Sequence, residues 1–427
     1  MMCDQTSNIT FRLFSNMSDF LRSRIGRDLF IVAIIGLIIR YVVGAFFTYP
    51  TDVNYWVIVS ENLFSNEGLY GLPGYYYTPV WGYVLSAVTS VVGLLGIPLG
   101  EYVPELVGPN MVLDWTNTLP SFGYAMAIKT VLFIFDLLVA IVLFRIGMRL
   151  YGEKRAFWMF TIWFLCPFTI VISSIRMMFE NLEILLLLLA LLCMVERRPS
   201  WAGVMIALSL MTKPYGIFLC VLMIGYSYVQ SQSMRYTAQY ICAMAVTALV
   251  LFVPVILNGQ LDEAMMWLTN RAYDTGTGYN STLNLVPFIL FASFVASALM
   301  ALSGKASITA LIVTNAVLTS MTLLNPGNIQ YYLVLLPMVL LMSYRSNIIV
   351  IIAFLILSGF AFISYSTWSS VLYVHEGYIG SDLLESFVSI LRPIDSTLSY
   401  NWFKSVVAYT VVAVPLLECV RRRYAER

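Results

Sequence analysis

Apolar runs of roughly 20 residues recur from one end of this chain to the other, and each is long enough to cross the hydrocarbon core of a bilayer as a helix. A membrane β-barrel would instead show alternating segments of ~10 residues. Only 11% of the residues are charged, against roughly 25% in a soluble domain, while 60% are hydrophobic and the mean hydropathy is +0.82. The expected fold is therefore all-α: a polytopic transmembrane bundle with short juxtamembrane helices on its outer side. The lipid bilayer is its first partner. A net charge of +1 gives no bulk attraction to nucleic acid.

About twelve crossings are expected, near 29–48, 123–148, 156–175, 182–195, 201–212, 215–230, 237–257, 284–303, 308–323, 331–343, 347–366 and 402–419. They make one transmembrane domain, 29–420, between a cytoplasmic segment 1–28 and a basic cytoplasmic tail 421–427. Under this count Arg22, Arg24, Arg27, Arg145, Arg149, Lys154, Arg155, Arg197, Arg198, Arg235, Lys305, Arg345 and Arg421 to Arg423 all fall on one side, which the positive-inside rule makes the cytoplasm. The arginines ahead of the first run, with no small-residue cleavage site after it, argue against a cleaved signal. The stretch 78–99 is apolar enough to span. Crossing there would bring Glu101, Glu105 and Asp114 into the cytoplasm and the Arg421–Arg423 tail outside, so it is read as re-entrant or lying on the outer surface. Cys3, Cys166, Cys193, Cys220, Cys242 and Cys419 all fall off the outer segments, so neither a disulfide nor a cysteine metal site is expected.

The outer loop 49–122 is the most informative stretch. It opens with Asp52 just past the first apolar run, continues as an amphipathic segment (Val53, Trp56, Val57, Val59 and Leu63 against Asn54, Glu61 and Asn62), and closes on Tyr75, Tyr76, Tyr77, Thr78 and Pro79. Such a segment lies in the interface plane and holds its acid at headgroup depth. Asp52 reads either as an ordinary interfacial acid or as a general base.

Other polar groups carry the same pair of readings. Glu180, at an outer turn, is either a helix-end partner of Arg176 four positions earlier or a second site carboxylate with Arg176 as a phosphate ligand. Lys213, beside the helix-ending Pro214, either snorkels or binds a lipid phosphate as a point charge. Lys129 and Asp136 share one helix face; Asp136 lies deep in a span and needs Lys129 or Arg40 as its partner. The turn from Asn325 and Pro326 is ordinary turn chemistry, although Asn328, Gln330 and Tyr331 could line a sugar pocket. His375, the only histidine, stands beside Glu376 with no metal-ligand spacing. No phosphate-loop, nucleophile-elbow or zinc-helix motif is present.

Taken in order, these blocks resemble multi-spanning glycosyltransferases of the GT-C superfamily, in particular the polyprenyl-phosphate-mannose-dependent branch with the first GPI mannosyltransferase and its prokaryotic relatives. The acid motif matches Asp52-Val53-Asn54-Tyr55, the Gly-x-x-Tyr element of the family corresponds to Gly68 to Tyr70, one residue shorter here, and the Tyr-x-Tyr-Thr-Pro block is Tyr75 to Pro79. A Lys…Asp-Leu-Leu span matches Lys129 and Asp136 to Leu138, and a Pro…Ser-x-Arg-x-x-Phe-Glu turn matches Pro167 to Glu180. A small-residue helix ends in Lys213, and an Asn-Pro…Tyr turn matches Asn325, Pro326 and Tyr331. The likeness covers most of 30–345. It departs at Asn54, where the family often has a second Asp. Asn cannot bring a second negative charge to a divalent metal, so such a metal is left open, no metal ligand is assigned, and no other cofactor is expected.

The resemblance implies a membrane enzyme moving a hexose, mannose in that branch, from a polyprenyl-phosphate–sugar donor to a glycolipid, glycan or protein acceptor on the outer or luminal face of a cell membrane. Asp52 would be the general base of an inverting displacement, with Glu180 a second catalytic carboxylate. Lys213, Arg176 and Lys129 would hold the departing phosphate, and Tyr55, Tyr75, Tyr77, Asn328, Gln330 and Tyr331 the sugar. A secondary transporter should show two similar halves and polar groups near the midplane; a flippase or scaffold has no need of Asp52, Glu180 and Lys213 on one side.

Overall fold

The computed structural model describes residues 23–48, 50–65, 68–71, 75, 77–102, 118–273, 286–322 and 329–342, with 352, 373–374, 409–410, 413 and 417. Expected spans 347–366 and 402–419 lie largely outside these residues. Asn325, Pro326, Asn328, Tyr76, His375, Glu376 and the Asp52 side chain lie outside them altogether.

The described chain is helical apart from two short two-stranded ladders, so the all-α expectation holds. Helix α1 (Arg24–Phe46) starts where the Ser23 hydroxyl accepts from the Gly26 amide at 3.1 Å, a serine N-cap. Strand β1 (Phe47–Thr48) follows and pairs with β4 (Tyr373–Val374). Helix α2 (Pro50–Ser65) is the amphipathic segment, and α3 (Pro79–Leu94) takes Pro79 at its first position, where its missing N–H costs nothing. Strands β2 (Gly100–Tyr102) and β3 (Thr118–Pro120) form the second ladder. Helix α4 (Phe122–Tyr151) is capped by Ser121 and stopped by Gly152, whose φ of 86° only glycine adopts freely.

Then come α5 (Glu153–Leu165), α6 (Pro167–Ile170) running into a π-turn at Val171–Ile175, α7 (Glu180–Val195), α8 (Pro199–Leu210), α9 (Ile217–Ser231) and α10 (Met234–Leu257). Helices α11 (Leu261–Tyr273), α12 (Val286–Ser303), α13 (Ile308–Thr322) and α14 (Leu335–Leu341) follow, the last preceded by a 3₁₀ turn at Ile329–Val334.

Helices α1, α4, α10 and α12 are each long and apolar enough to cross a membrane, and α5 with α6 and its π-turn make a fifth candidate bent by 44°. Their outward faces are apolar: Ile31, Ile35, Ile38 and Val42 on α1, Leu249 and Val253 on α10, Phe288, Phe291 and Leu302 on α12 are all exposed. These helices fit a membrane protein. Helix α3, at 16 residues, is short of the ~20 that a crossing needs.

The bend after α5 has a chemical cause. Pro167 lacks the N–H that would reach the Trp163 carbonyl, and the Thr169 hydroxyl donates to that carbonyl at 2.9 Å instead. The Arg40 guanidinium takes the next carbonyl, Phe164, at 2.6 Å. It also donates to Gly36 O at 3.3 Å, to Thr169 Oγ1 at 3.1 Å and, through Nε, to Asp136 Oδ2 at 3.0 Å. Asp136 therefore pairs with Arg40, one of its two expected partners. One wholly buried cation ties α1, α4 and the break together, and α7 packs beside α4 with nearly every residue buried.

Candidate functional site

Lys213 is the centre of the site, and its position follows from the proline after it. Helix α8 ends at Leu210, the Lys213 amide still reaches Ser209 O at 3.0 Å, and Pro214 forbids another turn. Lys213 is left extended (φ −153°, ψ 148°). Its ammonium meets Glu180 Oε1 at 2.5 Å, with Lys213 2% exposed and Glu180 not at all. It lies 4.3 Å from the ring centre of Phe179, 5.0 Å from Tyr77 and 5.8 Å from Tyr331, all inside the range of a cation–π contact. An aromatic cage thus brings together Tyr77, Glu180, Lys213 and Tyr331, four residues singled out in the sequence.

The snorkelling reading of Lys213 is corrected: its head is buried inside the protein. The Arg176–Glu180 helix-face pair is corrected too. The π-turn ends at Ile175 and Met177 takes φ +54°, so no helix runs from 176 to 180; α7 begins afresh at Glu180, whose partner is Lys213. Arg176 is itself buried, 5% exposed, in the turn leading to Phe179.

Lys129 stands apart from this group. Its ammonium donates to Gly44 O at 2.6 Å, Phe47 O at 2.9 Å and Thr48 Oγ1 at 2.8 Å. A lysine has three N–H donors, so all are used in closing the C-terminal end of α1 and the start of β1.

The tyrosine block divides as well. The Tyr75 hydroxyl donates to Thr78 O at 2.8 Å and accepts from the Gly82 amide at 2.6 Å. Tyr70 donates to Tyr77 O at 2.8 Å. Burial pushes both phenols above their usual range, so they stay neutral donors. Tyr70 and Tyr75 shape the loop that presents Tyr77. The loop is tied to the end of α8 by the Val80 amide on Met211 O at 3.0 Å. Tyr55, half-buried on α2, packs against the core. Gln330 is buried beside Tyr331 with its Oε1 unpartnered.

Helix α2, which carries Asp52, docks on the same cluster. Trp56 lies four residues after Asp52 in α2. Its ring is 5.7 Å from Phe179, 5.7 Å from Trp81 and 6.0 Å from Tyr77. Trp81 stacks flat on Phe179, centroids 4.8 Å apart and planes 4° from parallel. A buried hydroxyl chain holds the helix from behind: Thr89 donates to Ser60 at 2.9 Å, Ser60 bonds Tyr124, and Tyr124 donates to Trp56 O at 3.3 Å.

Two groups escaped the sequence reading. Glu183 is fully buried one turn beyond Glu180, acted on by the Lys213 and Glu180 charges and by the Tyr215 and Gly216 amides, yet neither of its oxygens has a hydrogen-bond partner. The i, i+3 repeat of glutamates opening an otherwise apolar helix was the available signal. Trp81, inside the stretch 78–99, gave none beyond its size. Among the described residues no three His, Cys, Asp or Glu side chains group as metal ligands.

The arrangement can hold a positive charge in an apolar, aromatic enclosure, with one lysine N–H committed and carboxylate oxygens to spare. A scan against protein-family models and a search of curated proteins each matched nothing.

Proposed function

We propose that this protein is an integral membrane glycosyltransferase that moves a hexose from a polyprenyl-phosphate–sugar donor to an acceptor outside the cytoplasm, with about twelve crossings and a GT-C-like arrangement. The observation that carries this reading is the aromatic cage around Lys213, assembled from the tyrosine loop, the start of α7, the end of α8 and the 3₁₀ turn at Ile329–Val334. These are four of the blocks on which the family resemblance rests.

Sidedness supports it. The cage sits at the Glu180 end of α7. At the other end Glu196 pairs with Arg149 at 2.8 Å, about 24 Å away at 1.5 Å per residue. Arg155 and Tyr151 bond the C-terminal end of α14 on that same basic side. The polar chemistry and the basic loops thus occupy opposite ends, as expected for a donor used on the outer face.

In this reading Asp52 on α2 removes the acceptor hydroxyl proton as the acceptor oxygen attacks the anomeric carbon. The bond to the phosphate breaks with inversion, and its electron pair leaves on the phosphate. Lys213 and Arg176 stabilise that charge; Glu180 holds Lys213 in place until the donor arrives. Lys129 is assigned to structure. Tyr77, Tyr331 and Gln330 face the sugar.

The test is a panel of radiolabelled polyprenyl-phosphate sugars given to purified protein. Label should leave one lipid donor, and Asp52→Asn should lower the rate by about 10²–10⁴ with the fold intact. Transfer at the wild-type rate by Asp52→Asn removes the general base, and no loss of label from any donor removes the enzyme. An ion-coupled secondary transporter is the second reading, favoured by Glu183, a buried acid beside a broken helix. Uptake into proteoliposomes without label transfer would select it.

A further inference from the structure

Three oxygens in the first turn of α7, Glu180 Oε2 and both of Glu183, are buried and without a hydrogen-bond partner. One ammonium, Lys213, faces two carboxylates there. Among the described residues the one ion pair to either carboxylate is that from Lys213, and the buried Arg176 stands in the turn before α7. Tyr77 and Tyr331 present phenol rings, Tyr215 and Gly216 present backbone amides, α8 presents the Ser209 hydroxyl to the Glu183 carbonyl, and on α4 Lys129 and Asp136 are engaged elsewhere. Two buried carboxylates that share one ammonium are far costlier both ionised than with one of them neutral. Glu180 holds the ammonium directly, which leaves Glu183, whose oxygens lack a hydrogen-bond partner, as the member to carry a proton.

The position of that proton matters because Lys213 has two tasks. It pairs with Glu180 at rest, and on the proposed reading, which this inference deepens, it turns to the donor phosphate. Glu180 would then be a bare buried charge. Glu183 lies one turn along the same face, where its O–H can reach a Glu180 oxygen.

We propose that Glu183 is a positioning residue that carries a proton at rest and donates a hydrogen bond to Glu180 when Lys213 engages the phosphate of the incoming lipid donor. No bond is made or broken; the proton stays on the carboxyl pair, and Lys213 is released without leaving Glu180 unsatisfied. The cluster so becomes selective for an anionic headgroup, since only an anion draws Lys213 away.

Two variants separate the parts. Glu183→Gln mimics the neutral acid, keeping an N–H donor; Glu183→Leu keeps the burial and removes the donor. Infrared difference spectra of purified wild type against Glu183→Gln should contain the carbonyl band of a protonated carboxyl, absent in the variant. Glu183→Gln should use donor within about threefold of wild type, whereas Glu183→Leu should raise the apparent donor KM by about tenfold or more, the loss of one hydrogen bond to a charged group. A wild type without the protonated-carboxyl band, or a band that survives Glu183→Gln, overturns the proton assignment. Equal donor KM values for Glu183→Gln and Glu183→Leu overturn the hand-over. If wild type consumes no lipid donor, the functional reading and the hand-over fall together, and the band still decides the state of Glu183.

Discussion

Arg40 with Asp136 and Lys213 with Glu180 are both buried ion pairs, and they are finished to different degrees. Arg40 makes four hydrogen bonds, one each to α1, α4, α5 and α6, and stacks over Phe164 at 4.2 Å. Asp136 Oδ1 lacks a partner of strict geometry, but the Ser173 and Asn181 side chains stand beside it. Lys213 makes one hydrogen bond, and its other neighbours are aromatic faces. A cation fixed by carbonyls and hydroxyls cannot turn to a ligand without orphaning them. A cation held by one carboxylate and three rings can, because the rings lose little and the carboxylate has a neighbour to lean on. Lys129 belongs with Arg40: its donors are all used. The difference teaches that a buried cation marks one of two things in the described residues, a structural staple where its own N–H groups are all or nearly all engaged and a working site where they are not.

The largest effect should come from breaking the completed cluster. Arg40→Ala leaves Asp136 uncompensated and the Phe164 carbonyl unmet, and should cost about 3–5 kcal/mol, seen as loss of monodisperse protein or a steep fall in melting temperature in detergent. A fold indifferent to Arg40→Ala would erase the distinction between the clusters. Next, Lys213→Ala should weaken donor use by about ten- to a hundredfold, and Lys213→Arg should recover only part of it, since a planar fork does not replace a point charge in a cage built for one. Unchanged donor saturation in both would make Lys213 another staple.

Smaller effects test the boundary. Lys129→Met should destabilise by about 1–3 kcal/mol through unmet carbonyls while surviving molecules keep the wild-type donor KM; a raised KM would return Lys129 to the phosphate site. Tyr124→Phe should cost about 1 kcal/mol, with a lowered rate at unchanged donor KM, because it loosens the helix that carries Asp52 and leaves the cage alone. A raised donor KM there would mean that the two are not separable.

Much of the helix map was legible. The runs expected at 123–148, 201–212 and 237–257 appear as α4, α8 and α10 within a few residues, because a continuous apolar run ended by Gly152, Pro214 or a polar turn leaves little choice. Helices also form at 50–65 and 79–94, where an amphipathic and a non-crossing segment were expected. The number of crossings was less secure, since length and apolarity single out only four helices, five with the bent pair. The site was legible as residue types and not as pairings. Spacing placed Arg176 with Glu180, and a single residue at positive φ, Met177, cancelled the helical register on which that rested. Tyr75 and Tyr77 looked equivalent in sequence; only the fold shows one hydroxyl used by Thr78 and Gly82 and the other ring turned toward Lys213. Glu183 showed in the sequence only as a second glutamate three residues after the first; that its oxygens lack a partner is a relation across helices with no local signature.

The most direct measurement removes the cage charge as a pair. Lys213→Met/Glu180→Gln takes away both members together, which in buried pairs often leaves stability nearly unchanged, so misfolding does not cloud the result. With wild type and variant matched for melting temperature, the rate of sugar loss from a labelled polyprenyl-phosphate donor is followed across donor concentration. The account predicts an apparent donor KM raised by about tenfold or more in the double variant. Superimposable saturation curves would contradict it and make the Lys213 cage, like Arg40, part of the scaffold.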